Sequence, residues 1–151
     1  MHLVPLLTLT LAGLLAGCAH GAGPDRRVQQ VVAGQPVVLA IGQQARLPAG
    51  AVQLGFEAVL SDSRCPKGER CIQAGEAVLQ LWLQAAGGVR QPLVLHTGPG
   101  AASTAPVALQ PGQQLRLLQL APYPVAGRTV ATTDWRATLL LEAGDGGAAE
   151  R

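Results

Sequence analysis

A chain of 151 residues with 48% hydrophobic content carries enough apolar material for one domain with its own core, which excludes a disordered polymer. Only 13% of the residues are charged and 3% aromatic, so that core must be built from Leu, Val and Ala. The formal charge is +2, and Arg46, Arg64, Arg90, Arg116, Arg128 and Arg136 are scattered without aromatic neighbours in a cluster, which argues against nucleic acid as a partner.

The chain opens on an apolar run, Leu3 to Leu15, broken by Thr8, Thr10 and small residues and followed by Leu15-Ala16-Gly17-Cys18. At about a dozen residues the run is shorter than the roughly 20 that a transmembrane helix needs, so residues 1–17 are expected to be a secretion signal. A Cys directly after Leu-Ala-Gly resembles the lipobox of bacterial lipoproteins. That resemblance implies that Cys18 becomes the first residue of the mature protein, with a diacylglyceryl group on its sulfur and an acyl group on its amine, so the chain is anchored to a membrane and does not span it. The competing reading is an ordinary signal peptide with a Cys after the cut. The start also departs from the usual pattern, with His2 and the free amine but no Lys or Arg. Ala19 occupies the position where lipoproteins retained in the inner membrane commonly carry Asp, so in a cell with two membranes the resemblance favours the outer one, facing the periplasm.

Residues 18–30, with Gly21, Gly23, Pro24 and charge but no apolar period, read as a flexible tether. His20 within it is a solvated linker residue more readily than a metal ligand. A body held outside the cytoplasm lies where disulfides persist.

The folded domain is expected over 31–143. Gln35–Ile41 (QPVVLAI) reads as a strand bounded by Gly34 and Gly42, with Gln43–Leu47 pairing back onto it and Pro48-Ala49-Gly50 as a turn. Along Ala51–Leu60, Val52, Leu54, Phe56, Ala58 and Leu60 share one face, the period-two signature of half-buried antiparallel sheet. After the stretch Ser61–Gly75, Glu76–Gln84 resumes the alternation with Ala77, Leu79, Leu81 and Leu83 inward, and Trp82 on the opposite face. Ala85–Gly88 is a hairpin turn, and Val89–His96 is a return strand that Pro92 assigns to an edge or a bulge. Pro106–Leu109 is a short strand and Pro111-Gly112 a turn. In Gln113–Leu120, Leu115 and Leu117 have one parity and Leu118 and Leu120 the other, so a β-bulge near Leu117 is required. Ala121–Gly127 is irregular because Pro122 and Pro124 lack donors. Thr132–Glu142 closes the domain with Trp135, Ala137, Leu139 and Leu141 on one face, and 144–151 is a Gly- and Ala-rich tail. With no helical period in the mature chain, seven to eight strands predict an all-β, antiparallel β-sandwich, with a small barrel as the alternative.

Chemistry gathers in Ser61–Glu76. Cys65 and Cys71, separated by Pro66 and Gly68, are close enough in sequence to bond, and in an oxidising compartment a disulfide is the default. A redox-active pair is the sharper alternative, although such pairs sit two residues apart at a helix start. A metal site would need two further ligands from His20 and His96. Asp62 and Arg64 can pair with each other, and Asp62 can cap turn amides. The functional counterpart is a partner-binding surface in which Asp62, Arg64, Lys67, Glu69 and Arg70 are displayed by a rigid loop. A nucleophile would have to combine Ser61, Ser63 or Ser103 with His96, and no two of Glu57, Asp62, Glu69, Glu76 and Asp134 are placed together by spacing alone. Trp82, Trp135 and Tyr123 read as packing residues before ligand platforms, with Trp82 the exception to watch because it lies on the face opposite Leu81 and Leu83.

Asp62-Ser63-Arg64-Cys65-Pro66, Cys71-Ile72 and Ala74-Gly75, together with Pro122-Tyr123-Pro124, resemble a group of small bacterial secreted proteins and lipoproteins with an Asp-Ser-Arg-Cys-Pro and Cys-Val-Trp-Ala-Gly pattern. This chain has Gln73 where the pattern has Trp. The resemblance implies a β-rich extracytoplasmic domain with a disulfide and transfers no activity. The expected function is a lipid-anchored, non-catalytic binding or structural module of the cell envelope, with the membrane and an envelope protein as partners and no cofactor. The alternative is an envelope enzyme or thiol-redox protein that uses the Cys65–Cys71 loop.

Overall fold

The computed structural model describes residues 28–48, 52–98, 106–110 and 112–144. The expected signal segment, Cys18, His20, Ser103 and residues 145–151 of the expected tail lie outside the described residues. The described residues form nine strands: β1 (Gln29–Gln30), β2 (Pro36–Ala40), β3 (Gln44–Arg46), β4 (Val52–Asp62), β5 (Ala77–Ala85), β6 (Gln91–His96), β7 (Val107–Gln110), β8 (Gln113–Ala121) and β9 (Arg136–Ala143). They make a five-stranded sheet in the order β1-β3-β4-β5-β6 and a four-stranded sheet in the order β2-β9-β8-β7, neither closed into a barrel. The expected all-β sandwich is the fold, with a 3₁₀ turn at Thr132–Asp134 ahead of β9.

The core lies between the sheets. Leu54, Phe56, Leu79, Leu81 and Leu95 from the larger sheet meet Leu39, Leu115, Leu117, Leu139 and Leu141 from the smaller one, each at most 2% exposed. Each such side chain contributes about 1.5–3 kcal/mol of burial, which explains how a chain so poor in aromatics holds two sheets together.

The phase break expected in β8 is present as a register shift between Leu117 and Gln119 against β9, and it turns both Leu117 and Leu120 inward. β4 departs from its expected alternation. Register shifts against β5 fall between Phe56 and Ala58 and between Val59 and Ser61, so Val59 packs on the core while Leu60 is 53% exposed. The sequence conceals this because Ala58, Val59 and Leu60 are all apolar, and either phase looks satisfied.

The expected pairing of 43–47 with the preceding strand does not form. β2 pairs with β9, and β3 pairs with β4 on one side and β1 on the other. The corner between β2 and β3 explains the switch. Gly42 takes a φ of 84°, its N–H donates to Phe56 O (2.8 Å), and Phe56 N–H donates to Gln43 O (3.1 Å). The corner is thus held on β4, and the chain passes from one sheet to the other instead of folding back. The folded part also begins earlier than the expected tether boundary at residue 30. Burial of Val31 (4% exposed) brings Gln29–Gln30 alongside β3 in parallel register.

β6 is an edge, as Pro92 suggested. Thr97 N–H donates to Ala77 O (2.8 Å) and the register continues outward from Val78↔His96. By the alternation of an antiparallel ladder, His96, Val94 and Pro92 turn their nitrogens to the free side. Pro92 therefore removes a donor where a second strand would otherwise add.

Candidate functional site

The β4–β5 connection is closed at its base by a hydroxyl. Ser63 N–H donates to Glu76 O (2.8 Å), while Ser63 Oγ donates to the same oxygen (2.9 Å) and accepts from Glu76 N–H (3.1 Å). Thr97 also meets β5 through its hydroxyl, with Oγ1 accepting from Ala77 N–H at 2.7 Å. Gly75 lies so close to the Ser63 carbonyl that a Cβ there would overlap it, so any other residue would force the main chain of the loop to shift.

Cys65 and Cys71 form the disulfide, with Cα atoms 5.9 Å apart. Between them the chain docks on the segment after β8, which follows a cis Ala121–Pro122 bond. Lys67 N–H donates to Pro124 O (2.9 Å), Ala126 N–H donates to Lys67 O (3.1 Å), and Lys67 Nζ stands 5.7 Å from the centre of the Tyr123 ring. The tip projects away: Glu69, Arg70, Cys71, Ile72 and Gln73 are exposed.

Of the five residues expected to form a displayed surface, Lys67, Glu69 and Arg70 are exposed, and Arg64 is not. Arg64 is 4% exposed. Its Nε donates to Asp62 Oδ1 and its Nη2 to Asp62 Oδ2, both at 2.8 Å, while Asp62 Oδ1 also accepts the Arg64 main-chain N–H (3.2 Å). Nη1 donates to Leu120 O (2.7 Å) and Nη2 to Pro122 O (3.0 Å), and the guanidinium lies 5.0 Å from the Tyr123 ring centre and 5.9 Å from that of Trp135. The physical reason is valence. A planar guanidinium with five donors can leave water only where carboxylate and carbonyl oxygens meet it in its own plane, and the ends of β4 and β8 supply four such oxygens. Arg64 therefore clamps the two sheets together and does not face a partner, while the Asp62–Arg64 pairing expected from their spacing is present.

The remaining candidates separate. His96 Nδ1 lies 3.2 Å from Glu76 Oε1, with both side chains about half exposed, a surface pair worth little. The Ser63 hydroxyl is committed to the Glu76 backbone, and Ser61 is exposed on β4. Glu57 accepts from Gln80 Nε2 (2.7 Å) across the outer face of the larger sheet, and Asp134 sits in the 3₁₀ turn. Among the described residues no three His, Cys, Asp or Glu side chains gather where a metal ion could be held. Trp82 is 6% exposed because its ring lies across Gly55, where a Cβ would overlap it, and Arg90 stacks on the ring at 4.0 Å. Trp82 is therefore a packing residue and not the open platform that its place opposite Leu81 and Leu83 suggests.

Sequence reasoning missed a cleft beside Arg64, bordered by Thr97 from the end of β6 and by the bulged part of β8. Its one local signal was the phase break in β8. The partners that complete it are remote in the chain. No family model matches this chain, and no curated protein or solved structure is significantly similar to it.

Proposed function

We propose that this chain is a bacterial lipoprotein whose β-sandwich, held at the cell envelope by lipid on Cys18, is a non-catalytic binding or structural module. The observation that carries the reading is the sequence Leu15-Ala16-Gly17-Cys18 directly after an apolar run too short to span a bilayer. The closed Cys65–Cys71 bond is consistent with an oxidising compartment. Three acyl chains on one residue would give a durable anchor, since each buried CH₂ adds about 0.8 kcal/mol and a single chain alone binds only marginally. In a cell with two membranes the outer one is the favoured address, because Ala19 follows the lipidated position.

Metabolic labelling with an alkyne palmitate, followed by membrane fractionation, tests this. The wild-type chain is expected to label and to sediment with outer membrane, and Cys18→Ser is expected to lose the label. A wild-type chain that is secreted unlabelled overturns the reading in favour of an ordinary signal peptide. The thiol-redox alternative predicts that Cys65 and Cys71 cycle between reduced and oxidised forms in cells; alkylation trapping that finds them uniformly bonded removes it.

A further inference from the structure

The two buried polar side chains among the described residues, Arg64 (4% exposed) and Thr97 (5% exposed), border the same cleft, and each retains a donor. Arg64 commits one hydrogen from Nε, two from Nη2 and one from Nη1, so the second Nη1 hydrogen has no acceptor among the described residues. Thr97 Oγ1 accepts from Ala77 N–H, and its hydroxyl hydrogen likewise has no acceptor among them. A buried donor without an acceptor is costly, so two of them on one cavity favour an occupant that brings oxygen. Leu117, Leu118, Leu120 and Tyr123 line it together with Gln119 and Thr138, and the cleft has a volume of about 390 Å³. That volume is at the lower end of the range of about 300–1,000 Å³ for small-molecule sites.

We propose that this cleft binds a small neutral molecule that presents a carbonyl, as an amide or ester, on a branched aliphatic body. Neutrality follows from the charges in place. Asp62 already balances Arg64 with both oxygens, so a ligand carboxylate would bring a second negative charge beside the first without a free cation to meet it. The proposal rests on reading the domain as a binding module but not on its anchorage.

Titration of the isotope-labelled full chain with N-acetyl-leucinamide, followed by ¹H–¹⁵N spectra, tests it. The expected result is saturable shifts at the amides of Leu118, Gln119 and Thr138 in the millimolar range, with binding at least tenfold weaker for the carboxylate probe N-acetyl-leucine. Leu118→Trp, which fills the cleft without removing a donor, should abolish the shifts; Thr138→Leu narrows the same space if the larger ring disturbs β8. Shifts that do not saturate in the wild type, shifts that persist unchanged in a folded cleft-filled variant, or tighter binding of the carboxylate each overturn the proposal. Failure here leaves palmitate labelling of Cys18 untouched, and failure of that labelling leaves the cleft titration untouched, so the two readings fall separately.

Discussion

Replacing Arg64 with Ala separates a clamp from a displayed charge. The change removes a two-pronged ion pair to Asp62, hydrogen bonds to the Leu120 and Pro122 carbonyls, and the guanidinium stacked near Tyr123 and Trp135. The Asp62 side chain is only 14% exposed and would be left without its cation. Breaking one half of a buried pair costs about 3–5 kcal/mol, which is a large share of the roughly 5–15 kcal/mol that holds a domain folded. At about 4 °C per kcal/mol for a domain of this size, the melting temperature should fall by roughly 12–20 °C. Urea denaturation followed by Trp fluorescence is suited to the measurement, because Trp135 lies beside the guanidinium and reports the clamp directly. Asp62→Asn with Arg64→Met closes a double-mutant cycle, and strong coupling between the two positions is expected. Raising the salt concentration should leave the wild-type midpoint nearly unchanged, since a buried pair is weakly screened. A loss of less than about 1 kcal/mol for Arg64→Ala, the range of an exposed ion pair, would refute the clamp.

Other outcomes follow from the same geometry. Gly75→Ala should destabilise at the upper end of the about 1–3 kcal/mol typical of overpacking, because the clash is with the Ser63 carbonyl on the main chain; a neutral effect in thermal melts would contradict the loop closure described. Arg90→Ala should expose the Trp82 ring and shift its emission to the red while costing about 0.5–1 kcal/mol, as for an exposed cation over a ring. Cys65→Ser combined with Cys71→Ser should cost about 2 kcal/mol by loop entropy, yet the domain should stay folded in circular dichroism because Ser63 with Glu76 and Lys67 with Pro124 still fix the loop's ends. Pro92→Thr restores a donor on the free side of β6 and should promote self-association in sedimentation velocity; a strictly monomeric variant would show that the proline is not what guards this edge.

What could be read from the sequence was what local periodicity controls. The strands, the inward Leu residues of β5 and β9, and the bulge in β8 all follow from alternation within a few residues. In β8 the bulge was visible because its two phases place polar residues differently: Gln119 falls outward only if the register slips. The two slips in β4 passed unseen, since three apolar residues in a row satisfy any phase. Partners joined by a hairpin were legible, as for β5 and β6, but partners remote in the chain were not, for a different reason. β2 pairs with β9, almost the whole domain away, and its short link to β3 carries no sign that the corner is held by Phe56. The site divides in the same way. Asp62 and Arg64 are two residues apart, so their pairing could be anticipated. The burial of Arg64 depends on Leu120 and Pro122, 56 and 58 residues further along, and a charged residue is otherwise expected outside.

Burial of Arg64 changes what any experiment on this loop can mean. The loop contributes one group to the interior and another set to the surface, and the two are linked through Lys67, which lies along Pro124 and over the Tyr123 ring that also covers Arg64. A partner lost on Arg64→Ala would report unfolding first, whatever the loop binds. Recognition has to be tested at Glu69, Arg70 and Ile72, which are exposed and whose replacement leaves the clamp intact. Ligand occupation of the cleft should act in the opposite direction from Arg64→Ala. A carbonyl accepting from the spare Nη1 hydrogen binds only the folded chain, so saturation to about 100 times its dissociation constant adds roughly 2.7 kcal/mol by mass action. The same group would then govern both stability and binding. On the proposed reading, that coupling would make Arg64 essential to binding without its touching a protein partner.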